Sequence, residues 1–164
     1  MNIKLVDIKE NDFEAIKEIY DYYILNTTNT FNINSITIDE LKSSVLINHD
    51  KYKSYLIKAN DIVCGYCYLS QFRKKQAYDS TAEVTIYLHN KFSGNGIGFK
   101  AVSLLEKIAK DVGIKILMAY ITAENTNSIK LFKKLNYELC GNFKNVGYKF
   151  NKYLDVLVFE KELF

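Results

Sequence analysis

At 164 residues, 48% apolar and 25% charged, the chain has the composition of one soluble domain over residues 1–164, long enough to bury about 68 to 70% of its unfolded surface. A formal charge of +3 with no dense run of lysines gives no electrostatic case for nucleic acid. No apolar run is long enough to span a membrane, and MNIKLVDIKEND carries acidic residues where a signal peptide needs an apolar core, so a cytoplasmic protein with reduced Cys64, Cys67 and Cys140 is expected.

Ile3 to Val6 reads as a short strand, and Asn11 with Glu14 has the spacing of a capping box that opens a helix. Phe13, Ile16, Ile19, Tyr20, Tyr23 and Ile24 recur at helical spacing, which marks a stripe packed on the core. Asn26 to Ser35, NTTNTFNINS, is a polar loop of the kind that carries specificity, and Thr37 with Glu40 forms a second capping box after it. Tyr55 to Lys58 and Ile62 to Ser70 form a hairpin about Asn60-Asp61. Cys64 and Cys67 have C-x-x-C spacing inside that second strand, which predicts thiols on opposite faces. No second pair completes a zinc site, so structural cysteines and no metal are expected. His49 and His89 fall in loops and read as surface residues.

After a polar connection, Gln71 to Ser80, comes the stretch that organises the chain, TAEVTIYLHNKFSGNGIGFKAV from Thr81 to Val102. Its strand places Glu83, Thr85 and Tyr87 on one face and Val84, Ile86 and Leu88 on the other. The loop alternates Gly94, Gly96 and Gly98 ahead of a helix, which suits backbone N–H groups and a helix N-terminus to an anion such as phosphate. A Walker loop is excluded because Gly98 is followed by Phe99 and Lys100, and the even glycine spacing after a hairpin is a poor dinucleotide fingerprint. A flexible connection stays open at this point. The helix presents Val102, Leu105, Ile108 and Ala109 inward and ends at Gly113. Ile114 to Thr122 is a strand, Asn127 to Leu135 a short helix ending at Asn136, and Tyr137 to Phe143 and Tyr153 to Glu160 are closing strands around a glycine-containing turn.

The order of elements, Gly94-Asn95-Gly96-Ile97-Gly98 after a strand, and Asn125 with Ser128 ahead of LFKKLNYE resemble the GCN5-related N-acetyltransferases. FRKKQAYDSTAEVTIYL, ENTNSIKLFKKLNYE and VGYKFNKYLDV resemble the phosphinothricin acetyltransferase-like branch, and the resemblance covers nearly the whole chain. It implies an α/β (α+β) fold with a mixed, mostly antiparallel central sheet, helices on both faces and a βαβ unit that binds acetyl-CoA. By the same resemblance the pyrophosphate lies on the amides of Gly94, Asn95, Gly96, Ile97, Gly98 and Phe99, and the pantetheine arm pairs with Ile86, Tyr87 and Leu88. Asn125 and Ser128 bind the coenzyme, Glu83 is the general base, and Arg73, Tyr78 and Tyr87 line the acceptor pocket. Relatives in this branch are often homodimers, and the 13 tyrosines suit a partner patch.

Independently, an amine acceptor is mostly protonated at neutral pH, with a pKa from about 8 to about 10.4, and only its neutral form attacks a thioester. A partly buried carboxylate such as Glu83 meets that need. The expected activity is direct acetyl transfer from acetyl-CoA to a small primary amine, an amino acid or an analogue such as phosphinothricin or methionine sulfoximine. The alternatives are a protein N-terminus or lysine as acceptor, and a non-catalytic acyl-CoA-binding module. Compared with the family pattern, Ser93 replaces an Arg or Gln, leaving Lys91 or Lys100 to supply positive charge. Phe132 removes the usual thiolate acid, which water can replace because a thiol pKa is about 8.5. Phe31-Asn32 lacks the usual acidic-Pro pair, and Phe150 stands where some phosphinothricin enzymes have histidine.

Overall fold

Seven strands form one sheet in the computed structural model, which describes residues 1–164. They are β1 (Ile3–Asp7), β2 (Ser54–Ala59), β3 (Ile62–Gln71), β4 (Thr81–Leu88), β5 (Ile116–Thr122), β6 (Glu138–Lys149) and β7 (Lys152–Glu162), in the spatial order β1-β2-β3-β4-β5-β7-β6. Every pairing is antiparallel except β4 with β5. Helices α1 (Phe13–Asn26) and α2 (Ile38–Lys42) cover one face, while α3 (Ile97–Asp111) and α4 (Thr126–Lys134) belong to the other. No helix is long and apolar enough to cross a membrane.

The helical periodicity has the expected consequence. Phe13, Ile16 and Ile19 of α1 pack with Leu41 and Val45 onto Leu56 and Tyr66, and Val102, Leu105 and Ala109 of α3 pack onto Ile57, Leu69, Val84, Leu117 and Phe159. Thr37 and Glu40 form the reciprocal box at the start of α2, Asn60 and Asp61 take the positive φ angles of a tight hairpin turn, and Gly113 and Asn136 end α3 and α4 with φ of 84° and 64°.

Three local expectations are corrected. The first helix is led in by Asp12, not by Asn11 with Glu14: the Asp12 carboxylate accepts the Lys9 N–H at 2.8 Å and closes a 3-10 turn over Glu10–Asp12. The last hairpin turns at Phe150 and Asn151, with φ of 51° and 59°, so β6 runs well past Phe143. Gly141 and Gly147 sit inside β6 at register shifts, with the Phe31 ring lying against Gly147. Finally, Cys64 occupies a bulge, because Gly65 pairs with Ile57 while Val63 pairs with Lys58. The extra residue turns Cys64 into the same core layer as Cys67, so these thiols do not point to opposite faces.

Gly65 is also where β3 and β4 come closest. A Cβ there would stand 2.3 Å from the Tyr87 carbonyl oxygen and 2.9 Å from the Leu88 Cα. Because both are backbone atoms of a paired strand, Gly65→Ala is expected to lower the melting temperature by roughly 2 to 12 °C, measured by thermal unfolding.

Candidate active site

The site begins where β4 leaves β5. The two strands pair only through Thr81–Ile116, Ala82–Leu117 and Glu83–Met118, while β4 continues along β3 to Leu88 and β5 continues along β7 to Thr122. Backbone groups of Val84 to Leu88 and of Ala119 to Thr122 therefore face a gap. The His89 N–H donates to the Cys64 carbonyl at 2.8 Å on the β3 side, so the alternation of an antiparallel strand turns the Leu88 N–H toward that gap. The Leu88 carbonyl accepts the Tyr23 hydroxyl at 2.5 Å.

A cleft of about 640 Å³ occupies the gap. Its floor is Val84 to Leu88 and Ala119 to Ile121, and its rim holds Gly94, Gly96, Gly98, Phe99, Asn125, Ser128 and Phe132. Gly94 and Gly96 have φ of 83° and 75°, the left-handed region that favours glycine, and Gly96 begins α3 without a side-chain cap. The first amides of α3 are consequently open at the positive end of its dipole, which suits an anion. Asn125 has a definite job of its own, because its Oδ1 accepts the Ser128 N–H at 3.1 Å and caps α4.

Ile86, Tyr87, Leu88, the three loop glycines, Phe99, Asn125 and Ser128 thus line one cleft. Asn95 and Ile97 do not line it. Ile97 is turned into the core and is 1% exposed. Ser93 lines the cleft, but neither Lys91 nor Lys100 does. The Lys100 ammonium donates instead to the Met1 carbonyl at 3.3 Å. The cations at the cleft are Lys130 and Lys134 of α4, which the sequence reading missed, and Lys134 also lies 5.1 Å over the Phe99 ring. Tyr22 and Tyr23 were missed as well, whereas Thr27 and Asn29 belong to the polar loop, Asn26 to Ser35, already marked as one of the kind that carries specificity. Tyrosines within an otherwise aliphatic stripe were the available signal, since a phenol that packs on a core still seeks a partner for its hydroxyl.

A second cavity, about 570 Å³, lies against the α2 side of the sheet and is lined by Glu83, Thr85, Tyr68 and Ser70 among others. Thr85 borders both cavities. Glu83 is half-buried, and burial raises its carboxyl above the usual range while Arg73, 3.7 Å away, pulls it back. Arg73 is exposed, donates to the Phe72 carbonyl at 2.8 Å and lies 4.3 Å over the Phe72 ring, whose other neighbour is Tyr78 at 5.5 Å. Arg73 therefore stands beside Glu83, and Tyr78 reaches it only through the Phe72 ring that both contact; neither residue lines either cavity. Tyr87 stands among Tyr20, Tyr23 and Tyr66, with centroids 5.1, 5.2 and 5.5 Å away, and its phenol is raised well above its ordinary pKa by burial.

The model of the acetyltransferase (GNAT) domain family matches residues 5–158. The L-methionine sulfoximine/L-methionine sulfone acetyltransferase of Salmonella typhimurium is 28% identical over 167 residues, which cover 99% of this chain and 95% of that one. An N-acetyltransferase from Staphylococcus aureus Mu50 has a similar structure, with a TM-score of 0.88, 33% identity and coverage of 100% of both chains. A phosphinothricin acetyltransferase from Sinorhizobium meliloti, solved in complex with acetyl-CoA, has a TM-score of 0.89 at 28% identity, covering 99% of this chain and 89% of that one.

The electrostatics of Glu83 are open to direct measurement. In a carbon-13 NMR titration its carboxyl is expected to titrate above the ordinary value of about 4.3. Arg73→Gln is expected to move it further up, since the nearby positive charge that favours the carboxylate is removed.

Proposed function

As a member of the acetyltransferase (GNAT) family, this chain is an N-acetyltransferase, and we propose that its acceptor is the primary amine of an amino acid or amino-acid analogue of the phosphinothricin or methionine sulfoximine type. The observation that carries the reading is that Thr85 borders two cavities, one walled by a free strand edge and an uncapped helix start after a glycine loop, the other by a half-buried carboxylate. The names of the relatives support the acceptor class.

The cleft residues fit acetyl-CoA. The uncapped start of α3 offers N–H groups to phosphates, Lys130 and Lys134 add positive charge, and the open edge of β4 offers backbone partners to a pantetheine amide. When bound, the coenzyme supplies the activated acetyl group. Glu83 then takes the proton that frees the acceptor's amine, helped by burial that brings its basicity toward the working pH. The Leu88 N–H, turned into the gap, polarises the carbonyl under attack. Because β4 carries both groups, their separation is fixed by a strand rather than by a mobile loop.

A protein N-terminus or lysine as acceptor would call for a wide, acidic cleft. In the second cavity Glu83 is the only acidic residue on the wall, which favours a small molecule. The unpaired thiols of Cys64, Cys67 and Cys140 suit the reducing cytoplasm as its setting. We further assign the exposed Leu139, Phe143, Val146, Tyr148 and Tyr153 of the β6–β7 hairpin to contact with a second copy of the chain, since an edge strand carrying so much apolar surface invites a partner.

Glu83→Gln is expected to lower kcat by about 10²- to 10⁴-fold in a thiol-release assay, with the acetyl-CoA dissociation constant nearly unchanged. An unchanged kcat across pH would remove Glu83 from the role of base. Light scattering at micromolar concentration is expected to give twice the chain mass, and a monomer would dismiss the hairpin contact.

A further inference from the structure

Glu83 lines the second cavity and no part of the larger cleft, where Leu88 stands. At about 3.3 Å per residue, the Glu83 and Leu88 positions are roughly 16 Å apart along β4. A general base must lie within hydrogen-bond reach of the proton that it takes, directly or through one intermediary. An amine placed to attack a carbonyl held at the Leu88 N–H is beyond the direct reach of the carboxylate, so a group between them has to carry the proton.

Thr85 is the one residue that borders both cavities. Strand alternation puts it on the same face as Glu83 and one pleat nearer to Leu88, about 6 to 7 Å along the strand from Glu83. Across the sheet its register partner is Tyr68, which also lines the second cavity. Burial pushes the Tyr68 phenol up to about 12, the Thr85 hydroxyl beside it draws it back, and the Glu83 charge adds to the rise, so the three groups share one neighbourhood. Tyr68 therefore keeps its proton at neutral pH and remains a donor. Tyr87, the next residue along that face of β4, is packed among the rings of Tyr20, Tyr23 and Tyr66 and does not reach the second cavity.

A hydroxyl has one proton to donate and two lone pairs to accept with. At Thr85 one lone pair is matched to the Tyr68 O–H, the proton to Glu83, and the second lone pair is left for the incoming amine. We infer that Thr85 is a catalytic residue that relays the acceptor's proton: the ammonium gives a proton to Thr85 Oγ1 while the proton already on Oγ1 passes to a carboxylate oxygen of Glu83. The amine ends neutral, the threonine is unchanged, and Glu83 ends protonated and returns the proton to solvent through its own cavity, so no further reactant is consumed. Tyr68 is a positioning residue, since it fixes which lone pair of Oγ1 faces the amine. The relay rests on the assignment of Glu83 as base made above.

Thr85→Val keeps the branched side chain and removes the hydroxyl. In thiol-release kinetics with acetyl-CoA and L-phosphinothricin or L-methionine sulfoximine at pH 7, it is expected to lower kcat/KM for the acceptor about 10²-fold. The acetyl-CoA dissociation constant by calorimetry and the melting temperature should stay close to those of the wild type. Thr85→Ser, which restores the hydroxyl, is expected to recover most of the loss. The defect of Thr85→Val should narrow as pH rises past about 8, the pKa of an α-amino group, because the amine is then neutral without help. Wild-type kinetics in Thr85→Val, or a loss that is equal at every pH or shared by Thr85→Ser, overturns the relay, and a Glu83→Gln enzyme that is still impaired in the same assay keeps Glu83 as the base. Wild-type turnover in Glu83→Gln overturns base and relay together. A wild type that releases no thiol with either acceptor overturns the acceptor reading, and this inference with it.

Discussion

The structure depends on β4 and β5 parting after their pairing at Glu83 and Met118. Two strands with free edges facing each other would ordinarily zip together, since unpaired N–H and C=O groups seek partners. Each is held away by a stronger commitment. β4 stays in register with β3 from Gln71–Ala82 to Gly65–Leu88, and β5 stays with β7 along its whole length. The end of α1 and the loop after it then bridge the gap, with Tyr23 of α1 donating to the Leu88 carbonyl on one bank and Thr122 on the other bank donating to the Thr28 carbonyl of the loop at 2.6 Å. The cleft is therefore a propped opening in a sheet, and its depth is set by the backbone.

That opening also separates two chemical environments. On the side proposed for the coenzyme the groups are amides, glycines and α4 lysines, suited to negative charge. On the side proposed for the acceptor a carboxylate is half-buried among hydroxyls and tyrosines, with Arg73 close enough to keep its pKa from climbing further. Arg73 is more than half exposed, so water screens much of its effect, and burial remains the dominant influence on Glu83. The role of base proposed for Glu83 needs that balance. A carboxylate paired tightly to arginine would be too weak to take a proton, and one fully buried without a partner would be protonated before the amine arrived.

Much of the architecture was legible because local rules and tertiary packing agreed. The alternation of Thr81 to Leu88, the helical stripe of α3, the Thr37–Glu40 box and the Asn60-Asp61 turn each point to the element that forms. Glycines were read less well. Gly94 and Gly96 do make a turn, but Gly141 and Gly147 allow bulges and the approach of Phe31, and composition alone does not distinguish a glycine that turns from one that makes room. Lys130 and Lys134 at the cleft were hidden for another reason. They lie far along the chain from the glycine loop, and only the packing of α4 beside α3 brings them to it. The tyrosines of α1 could be placed on the inner face from their spacing, but their reach to β4 depends on the sheet that they cover.

Lys149 shows how far the bridging loop is supported from elsewhere. It is 3% exposed, no carboxylate pairs with it, and burial lowers its pKa. Its ammonium donates to the Thr30 carbonyl at 2.9 Å, and Thr30 in turn shares a hydrogen bond with the Tyr20 hydroxyl at 2.8 Å. A lysine desolvated in this way costs stability unless its hydrogen bond fixes something that packing alone would leave loose. What it fixes is the stretch from Thr27 to Phe31, which Thr28 also ties to Glu124 at 2.9 Å and Phe31 ties to Gly147 by contact. The β6–β7 hairpin, the far edge of the sheet, is thereby joined to the segment that spans the cleft. The segment that spans the cleft beside Glu83 and the Leu88 amide is consequently supported by contacts from Lys149, which lies 66 and 61 residues along the chain from those two positions.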